Sequence, residues 1–366
     1  MISKTLLSAM LSLILAGVPA LGQAAIDAST TSVPSPAVTS VPAAVFAAWR
    51  QNSPTPAALT SYVRSVTDAA SPDYIPLAER IAVFDIDGTL LSETTPFYVD
   101  WTSWIDWTLN PKNTHAAESD VIYAHAARAA MEKGEKLPTY QGNMFEAIAR
   151  GYAGLSPNEF REVIAEFSKT NNPKGIAYRD SFFKPMVEIV NYLKGNGFTV
   201  YLVTASDRML MRAFASDVLG IPYPQVIGTD VGLTVKGEAL SAEEKARYKL
   251  GATDEIVRDD TVRENANFRK VEAIEEIIGR KPVLSFGNSS GDYAMNTYVQ
   301  HNNPHKSMVF MLLCDDAERA ACRKDKNDER RALYDTNAWH TISMKDEFAE
   351  LYLARPTAPE SSSPKN

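Results

Sequence analysis

The sequence lacks several features that mark common kinds of binding protein. Its formal charge is −8, and no run of Lys or Arg suggests contacts with a nucleic-acid backbone. No Gly-x-x-x-x-Gly-Lys-Ser/Thr run marks a nucleotide-binding loop. None of the five His residues pairs with an acid or a Cys at the spacing of metal ligands. These absences disfavour a nucleic-acid partner, a P-loop nucleotide site and a zinc centre.

Cysteine is also scarce, since Cys314 and Cys322 are the only two in the chain. A disulfide between them would close a short loop, but the sequence does not show whether their geometry permits the bond. The sequence is therefore compatible with a disulfide and with two buried thiols.

The apolar run at the amino end is too short for a membrane span, which takes roughly 20 residues. This run, Leu6–Val18, has about the length of a signal-peptide core, and Lys4 supplies a positive charge before it. Gly22-Gln23-Ala24 places small residues at the two positions that a signal peptidase reads. We therefore expect residues 1–24 to be a signal peptide. The mature protein would be periplasmic or secreted, with no stable membrane anchor.

The remaining composition is that of a folded protein, with 45% hydrophobic and 22% charged residues in a chain of 366. This length suits one large domain or a core with an inserted domain. Residues 25–43 are rich in Ala, Ser, Thr, Val and Pro and are expected to form a flexible linker. Residues 355–366 are expected to be a disordered tail. Two short helices are expected near Val45–Arg50 and Ala57–Ala70.

Strand-like and helix-like segments alternate through residues 44–93 and 181–354, which predicts an α/β core with a parallel sheet and helices on both faces. The expected strands are Ile81–Ile86, Phe198–Val203, Gln225–Gly228, Pro282–Phe286 and Ser307–Leu313. The expected helices are one from Pro185 to the glycines at 195 and 197, then Arg208–Leu219 and Lys270–Ile278. No pattern indicates a role for residues 231–268.

Residues 94–180 interrupt this alternation with helical patterns and no convincing strand. The expected helices are Ala124–Glu132, Asn143–Arg150 and Pro157–Lys169. Ser156 and Glu159 have the spacing of a capping box at the start of the last one. We interpret residues 94–180 as a helical cap inserted over the carboxyl edge of the sheet.

Two carboxylates, Asp85 and Asp87, directly follow the first strong strand. Acids are costly to desolvate, and open α/β sheets place their chemistry at the carboxyl ends of strands. One carboxylate could attack phosphorus, and the second could move the proton of the leaving oxygen and then of water. Gly88 would permit the turn that this needs, and Thr89 could cap a following helix. The competing interpretation is an Asp-rich turn with a capping role.

Three further clusters lie at strand ends or before a helix. Thr204 could donate to a phosphate oxygen, although a hydroxyl after a strand can also be a helix cap. Lys270 stands at a helix start, where the dipole disfavours a cation, and is either a solvated side chain or an ammonium that offsets phosphate charge. The turn Gly287–Asp292 contains Asn288 and ends in Asp292. Its carboxylate, together with Asp85 and a backbone carbonyl, suits Mg²⁺.

Together these motifs resemble the haloacid dehalogenase superfamily in its phosphatase branch, over roughly residues 75–350. The Asp-x-Asp-Gly-Thr run at 85–89 is the specific signature, and Thr204, Lys270 and Asp292 match the three others in order and spacing. The sequences of residues 286–292 and 316–319 are most similar to those of secreted phosphoserine-phosphatase-like or nonspecific acid phosphatases.

The resemblance implies a Rossmann-like core with a helical cap, and it implies roles for these residues. Asp85 would be the nucleophile and an Mg²⁺ ligand, and Asp87 the general acid/base that lends its backbone carbonyl to the metal. Thr204 and Lys270 would bind phosphate, and Asp292 would bind Mg²⁺. Many family members have Asp at the position of Asn288, so its place in the metal site stays open.

We therefore expect an exported Mg²⁺-dependent hydrolase of small phosphate monoesters that works through an aspartyl-phosphate. Most aromatic residues of the segment Phe97–Trp107 are expected in the core of the cap, with one or two facing the substrate. Such rings could hold a quaternary ammonium, so phosphocholine is a second candidate substrate. The same motifs are compatible with a phosphomutase, a dehalogenase or a non-enzymatic binding protein on this fold. The sequence does not indicate the oligomeric state.

Overall fold

The computed structural model describes residues 43–93, 98–173, 175–320, 322 and 327–353. The predicted signal peptide and the predicted tail lie outside these residues, as does the predicted linker except for Ala43. The short helix predicted near Val45–Arg50 is instead a 3₁₀ helix from Ala43 to Phe46, so it begins and ends earlier than predicted. In the part of the chain that is described, no helix is both long enough and apolar enough to cross a bilayer.

A seven-stranded sheet forms the centre of the fold. In chain order its strands are β1 (Ile81–Phe84), β2 (Thr199–Asp207), β3 (Val226–Val235), β4 (Ile256–Arg263), β5 (Leu284–Gly287), β6 (Met308–Leu313) and β7 (His340–Ser343). The spatial order is β4-β3-β2-β1-β5-β6-β7. All neighbours are parallel except β3 and β4, which pair antiparallel. The predicted α/β fold with a largely parallel sheet is confirmed.

The described residues form twelve α-helices. They are α1 (Pro54–Thr67), α2 (Val99–Thr108), α3 (Glu118–Lys133), α4 (Met144–Gly151), α5 (Pro157–Ser168), α6 (Lys184–Gly195), α7 (Arg208–Leu219), α8 (Ala242–Lys245), α9 (Phe268–Ile277), α10 (Tyr293–Gln300), α11 (Asn327–Thr336) and α12 (Met344–Glu347). The predicted helix 208–219 has the observed bounds of α7. Asp207 caps that helix by accepting hydrogen bonds from two of its first amides, 2.8 and 3.2 Å long.

Alternation along β1 divides the apolar core between the two faces of the sheet. Ala82 and Phe84 point into a cluster with residues of α1, α6 and α7, whereas Val83 points into a cluster with residues of α9, α10 and α11. Because β1 is buried on both faces, it reads in the sequence as a continuous apolar run.

Three phenylalanines stack across the middle of the sheet. Phe84 and Phe286 are register partners on β1 and β5, and their ring centroids lie 4.1 Å apart. Phe286 and Phe310, partners on β5 and β6, lie 4.7 Å apart in the same way. Asp85, the residue after Phe84, begins the loop after β1, whereas Gly287, the residue after Phe286, is the last residue of β5.

The sequence did not indicate β4 and β7. Five of the eight residues of β4, Ile256–Arg263, are polar or charged, because an edge strand buries little of its surface. β7 has only four residues. β3 is also longer than the predicted strand Gln225–Gly228, since it continues to Val235 to pair with β4. The segment 231–268, for which the sequence indicates no role, contributes the end of β3, the antiparallel β4 and the start of α9.

Helices α2 to α5 occupy the segment predicted to be a helical insertion. We use "cap" for its described residues, 98–173 and 175–180. Among these residues the only β pairing is an isolated bridge between Asn171 and Ala177. The predicted capping box is present: Ser156 accepts from the amide of Glu159, and the Glu159 carboxylate accepts from the amide of Ser156.

Cys314 and Cys322 form a disulfide, with Cα atoms 5.1 Å apart. This decides between a disulfide and two buried thiols, both of which the sequence allowed. The bond closes the loop after β6, on the same edge of the sheet as the ends of β1 and β5.

Candidate active site

Asp85 is the first residue after β1 and is almost fully buried. Its amide donates to the carbonyl of Phe286 over 2.9 Å, so the parallel ladder continues as far as this residue. Its carboxylate accepts a hydrogen bond of 3.1 Å from the hydroxyl of Thr89. No helix begins at Thr89, so the predicted capping role is wrong, and the hydroxyl instead restrains the Asp85 carboxylate.

Gly88 makes the turn between these residues possible. Its φ is +81°, in the left-handed region that favours glycine. A Cβ at this position would also overlap the side chains of Asn288 and Glu93. The first motif therefore needs glycine for its backbone angle and for the close approach of another loop.

Lys270 brings two of the predicted residues together. Its Nζ lies 2.7 Å from Oδ1 of Asp85 and 2.7 Å from Oδ1 of Asp292. All three side chains are buried, and that of Lys270 is 2% exposed. The solvated interpretation of Lys270 is therefore wrong. Lys270 lies in the first turn of α9, which directs the ammonium at the carboxyl edge of the sheet.

This triad has an unbalanced charge. Burial, and then the charge of Asp292, raises the pKa of Asp85 to about 8, although Lys270 acts in the opposite direction. Burial alone would lower the pKa of Lys270, but the carboxylates of Asp292 and Asp85 raise it above its ordinary value. The ammonium therefore stays charged, and it neutralises only one of its two partners.

Asp87 lies beside the end of β2. The hydroxyl of Ser206 donates to Oδ2 of Asp87 over 2.7 Å. The hydroxyl oxygen of Thr204 accepts the amide of Ser206 over 3.0 Å. Burial raises the pKa of Asp87, and hydrogen bonds from Ser206 and the amide of Val99 partly counteract this. The sequence predicts that this strand ends at Val203, but β2 continues through Thr204 to Asp207.

The loop after β5 wraps around Asp292. Oδ2 of this residue accepts the amides of Asn288 and Ser289, at 2.9 and 3.1 Å. A Cβ at Gly287 would lie 2.6 Å from that of Asp292, so the loop needs glycine there. The side chain of Asn288 contacts Thr89 over 3.4 Å and Glu93 over 3.3 Å. Asn288 thus links this loop to the turn after β1.

The donor set fits Mg²⁺ by its chemistry. In the described part of the chain no group of three or more His, Cys, Asp or Glu side chains forms a closed metal site. Mg²⁺ commonly binds through one or two carboxylates and completes its shell with water and substrate phosphate. Asp85 and Asp292 supply such a pair, and their charge exceeds that of Lys270. Asn288 adds an amide oxygen at the same edge.

A cavity of about 530 Å³ adjoins these loops through Gly88, Asn288 and Ser289. Its other walls come mainly from the cap, the disulfide loop, the segment after β1 and α11. They include the aromatic residues Tyr98, Trp101 and Tyr140, the charged residues Glu93, Lys136 and Arg330, and both cysteines. Trp104 and Trp107 are buried in the cap instead, and Phe97 lies outside the described residues. The volume is within the range of small-molecule sites, about 300–1,000 Å³.

Two buried polar residues near the site had no signal of their own in the sequence. Asn265 donates to the carbonyl of Thr204 over 2.8 Å, and its amide donates to the hydroxyl of Thr229 over 3.0 Å. Asp100 of α2 lies close to Asp87 and Ser206, and burial followed by the charge of Asp87 raises its pKa to about 8. Asp100 could have been suspected as an acid on the apolar aromatic helix of the cap.

Comparison with known proteins gives one family match. No curated protein matches the sequence significantly. Among solved structures, a protein of unknown function from Bordetella pertussis Tohama I has 17% identity and a TM-score of 0.47, covering 72% of this chain and 98% of its own. A phosphoserine phosphohydrolase-like protein from Francisella tularensis has 13% identity and a TM-score of 0.35, covering 72% and 94%. The family of haloacid dehalogenase-like hydrolases matches residues 82–295. This match covers more than half of the chain, which therefore belongs to the haloacid dehalogenase-like hydrolases.

Proposed function

We propose that this hydrolase cleaves phosphate monoesters through an aspartyl-phosphate on Asp85. The observation that carries the proposal is the buried pair of ion pairs around Lys270, which holds Asp85 and Asp292 at 2.7 Å each beside a second acid, Asp87. A fixed ammonium there offsets the charge of an incoming phosphate, which two carboxylates alone would repel.

The first step would be attack of an Asp85 oxygen on phosphorus. An O–P bond forms, the ester O–P bond breaks, and the leaving oxygen takes a proton from Asp87. The hydroxyl of Thr204 and the ammonium of Lys270 would hold the phosphoryl oxygens. The raised pKa of Asp87 favours the protonated form that this step requires.

The second step would be hydrolysis of the aspartyl-phosphate. Asp87, now a carboxylate, takes a proton from a water molecule while the oxygen of that water attacks phosphorus. Inorganic phosphate leaves and Asp85 is regenerated. Asp85, Asp292 and the carbonyl of Asp87 would hold Mg²⁺, which supplies charge neutralisation for the phosphoryl oxygens when bound.

The test is hydrolysis of p-nitrophenyl phosphate with Mg²⁺ by the wild type and by Asp85→Asn. The variant should lose turnover without losing stability, because the amide keeps the shape of the carboxylate but is a poor nucleophile. Asp335→Asn, an exposed change on α11, is the control and should keep full activity. Turnover by Asp85→Asn at the wild-type rate would reject the mechanism.

The role of Asp87 and the identity of the product distinguish the proposed phosphatase from other activities on the same fold. A dehalogenase shares the nucleophile but does not need the second acid, so a loss of turnover in Asp87→Asn favours ester cleavage. A phosphomutase would return a phosphorylated isomer, whereas a phosphatase releases inorganic phosphate. A binding protein on the same fold would show no turnover.

A second candidate, a phosphocholine-type substrate, is favoured by one observation. Tyr98, Trp101 and Glu93 all line the cavity, and aromatic faces with a carboxylate attract a quaternary ammonium. Lys136 and Arg330 line the same cavity and act against a cation. The discriminating pair is phosphocholine and its neutral isostere 3,3-dimethylbutyl phosphate. An equal kcat/KM for both would reject the candidate.

The proposed place of action is outside the cytoplasm. The support is the apolar run Leu6–Val18 with the small residues that follow it. Expression of the full chain with its own amino end, followed by fractionation, should give a shortened protein that begins at Ala25. Full-length protein confined to the cytoplasm would reject export.

A further inference from the structure

The hairpin of β3 and β4 holds a fully buried arginine that the proposed reaction does not use. Arg258 lies on β4 and is 1% exposed. Arginine is almost never fully buried unless it is paired, because removing its charge from water is costly. Its burial therefore calls for specific partners, and these come from two different parts of the fold.

The first partner belongs to β2. Arg258 forms an ion pair with Asp207, the last residue of β2, and both side chains are buried. Asp207 follows Ser206 directly and caps α7 through its other carboxylate oxygen. The guanidinium is thus fixed to the strand end that carries Thr204 and Ser206.

The second set of partners belongs to the cap. The guanidinium carbon lies 3.9 Å from the ring centroid of Phe160 on α5 and 5.9 Å from that of Tyr152. Both rings are buried, and a desolvated cation over an aromatic face is attracted to it. One side chain therefore joins the end of β2 to the cap.

The backbone of the same residue makes a second connection. The amide of Arg258 donates to the carbonyl of Leu155 over 2.9 Å, and its carbonyl accepts the amide of Gly154 over 2.8 Å. Arg258 thus makes two main-chain hydrogen bonds to adjacent residues of the cap, Gly154 and Leu155. The hairpin therefore contacts the loop between α4 and α5 through both main chain and side chain.

The connection continues into the helix above the site. The hydroxyl of Tyr152 donates to that of Ser103 on α2 over 3.2 Å. That helix also carries Asp100, beside Asp87, and Trp101, in the wall of the cavity. A shift at Arg258 would thus move the part of the cap that faces the reacting groups.

We propose that Arg258 is a positioning residue that fixes the cap over the active site, and that the β3–β4 hairpin is the anchor of the cap on the core. This inference rests on the proposed function only for its kinetic readout. The guanidinium suits the position because its plane pairs with a carboxylate at the edge and stacks on a ring with its face, which an ammonium does not.

The test is the double variant Arg258→Met/Asp207→Asn, which removes the ion pair without leaving a buried charge. Asn at 207 can still cap α7. Hydrogen exchange at Gly154 should become faster by about tenfold or more, because its amide donates across the anchor. KM for 2-phenylethyl phosphate, whose ring reaches the cavity, should rise about tenfold, while kcat for ethyl phosphate stays near the wild-type value.

The matched control is Arg263→Met on the same strand, whose side chain is exposed and pairs with Glu276 rather than the cap. It should change neither readout. If the double variant does not fold, Phe160→Leu takes its place, because it removes only the ring that stacks on Arg258. Hydrogen exchange at Gly154 and KM for 2-phenylethyl phosphate are then compared in the same way. The proposal would be overturned by a variant that has a lower Tm but keeps the wild-type rate of hydrogen exchange at Gly154 and the wild-type KM for 2-phenylethyl phosphate. Exchange needs no turnover, so failure of the proposed function would be seen separately.

Discussion

The hydroxyl of Ser206 donates to a carboxylate oxygen of Asp87 over 2.7 Å, and both side chains are buried. This hydrogen bond fixes which oxygen of Asp87 can face a substrate. It also stabilises the carboxylate form of Asp87, which the proposed mechanism requires after the leaving group has been protonated.

Ser206→Ala should therefore lower kcat by about 10- to 100-fold, because a hydrogen bond to a charged group is lost in a buried site. The loss should be larger for alkyl esters than for p-nitrophenyl phosphate, whose leaving oxygen needs less help from an acid. Ser65→Ala on α1, which removes a hydroxyl bonded only to a local carbonyl, is the control. Equal losses for both esters would argue against a role at Asp87.

Gly88→Ala should lower activity by about a hundredfold, because the added Cβ would displace Asn288 and Glu93 and misplace both catalytic loops. Gly134→Ala separates this clash from backbone strain. Gly134 has a similar φ of +67° at the end of α3, but a Cβ added there would have no atom within 4 Å. Both variants should lose stability in thermal unfolding, and only Gly88→Ala should lose kcat. A fully active Gly88→Ala would contradict the close approach of the loops.

Binding of Mg²⁺ should strengthen as pH rises. The pKa of Asp85 is raised to about 8, so below that value a proton competes with the cation for this carboxylate. Affinity measured by calorimetry should increase about tenfold per pH unit from pH 6 to 7, and level off above pH 8. The rising limb of activity should accordingly move to lower pH as Mg²⁺ is increased. An affinity independent of pH over this range would contradict the assignment of Asp85 as a ligand.

Asn265→Ala should weaken the binding of phosphate rather than the chemistry. The amide group of Asn265 holds the carbonyl of Thr204, and its backbone is tied to Thr229, so its loss should loosen the loop that receives phosphate. We expect KM and the inhibition constant of inorganic phosphate to rise together, each by about tenfold. Asn196→Ala, which removes a similar bond to a carbonyl at the end of α6, should change neither.

The sequence was sufficient for the parts of this site that lie at strand ends. The carboxyl ends of parallel strands meet at one edge, so Asp85 and Asp292, which follow predicted strands, could be expected there. Thr204 lies within β2, which continues to Asp207. Lys270 could reach the same edge only if the start of its helix points there, and the start of α9 does so. The family followed from the order and spacing of the motifs, five of the seven strands from apolar runs, and α7 from its helical pattern.

Other features depend on partners distant in the chain. Asn265 and Arg258 are ordinary polar residues in the sequence, and their roles come from contacts with Thr204, Asp207 and Phe160. β4 is a polar edge strand, so apolar periodicity could not reveal it. Thr89 was expected at a helix start, but the chain turns back at Gly88 and directs its hydroxyl to Asp85 instead.

The stacked rings of Phe84, Phe286 and Phe310 affect how much rearrangement catalysis would need. Phe84 immediately precedes Asp85, and Phe286 lies one residue before the loop that carries Asp292. Rings stacked 4.1 Å apart in a close-packed interior resist sliding or spreading of their strands. The distance between the carboxylates of Asp85 and Asp292 is therefore set during folding, before any substrate binds. Substrate binding would need to reorganise only the cap and its water, which keeps the reorganisation energy of the reaction low.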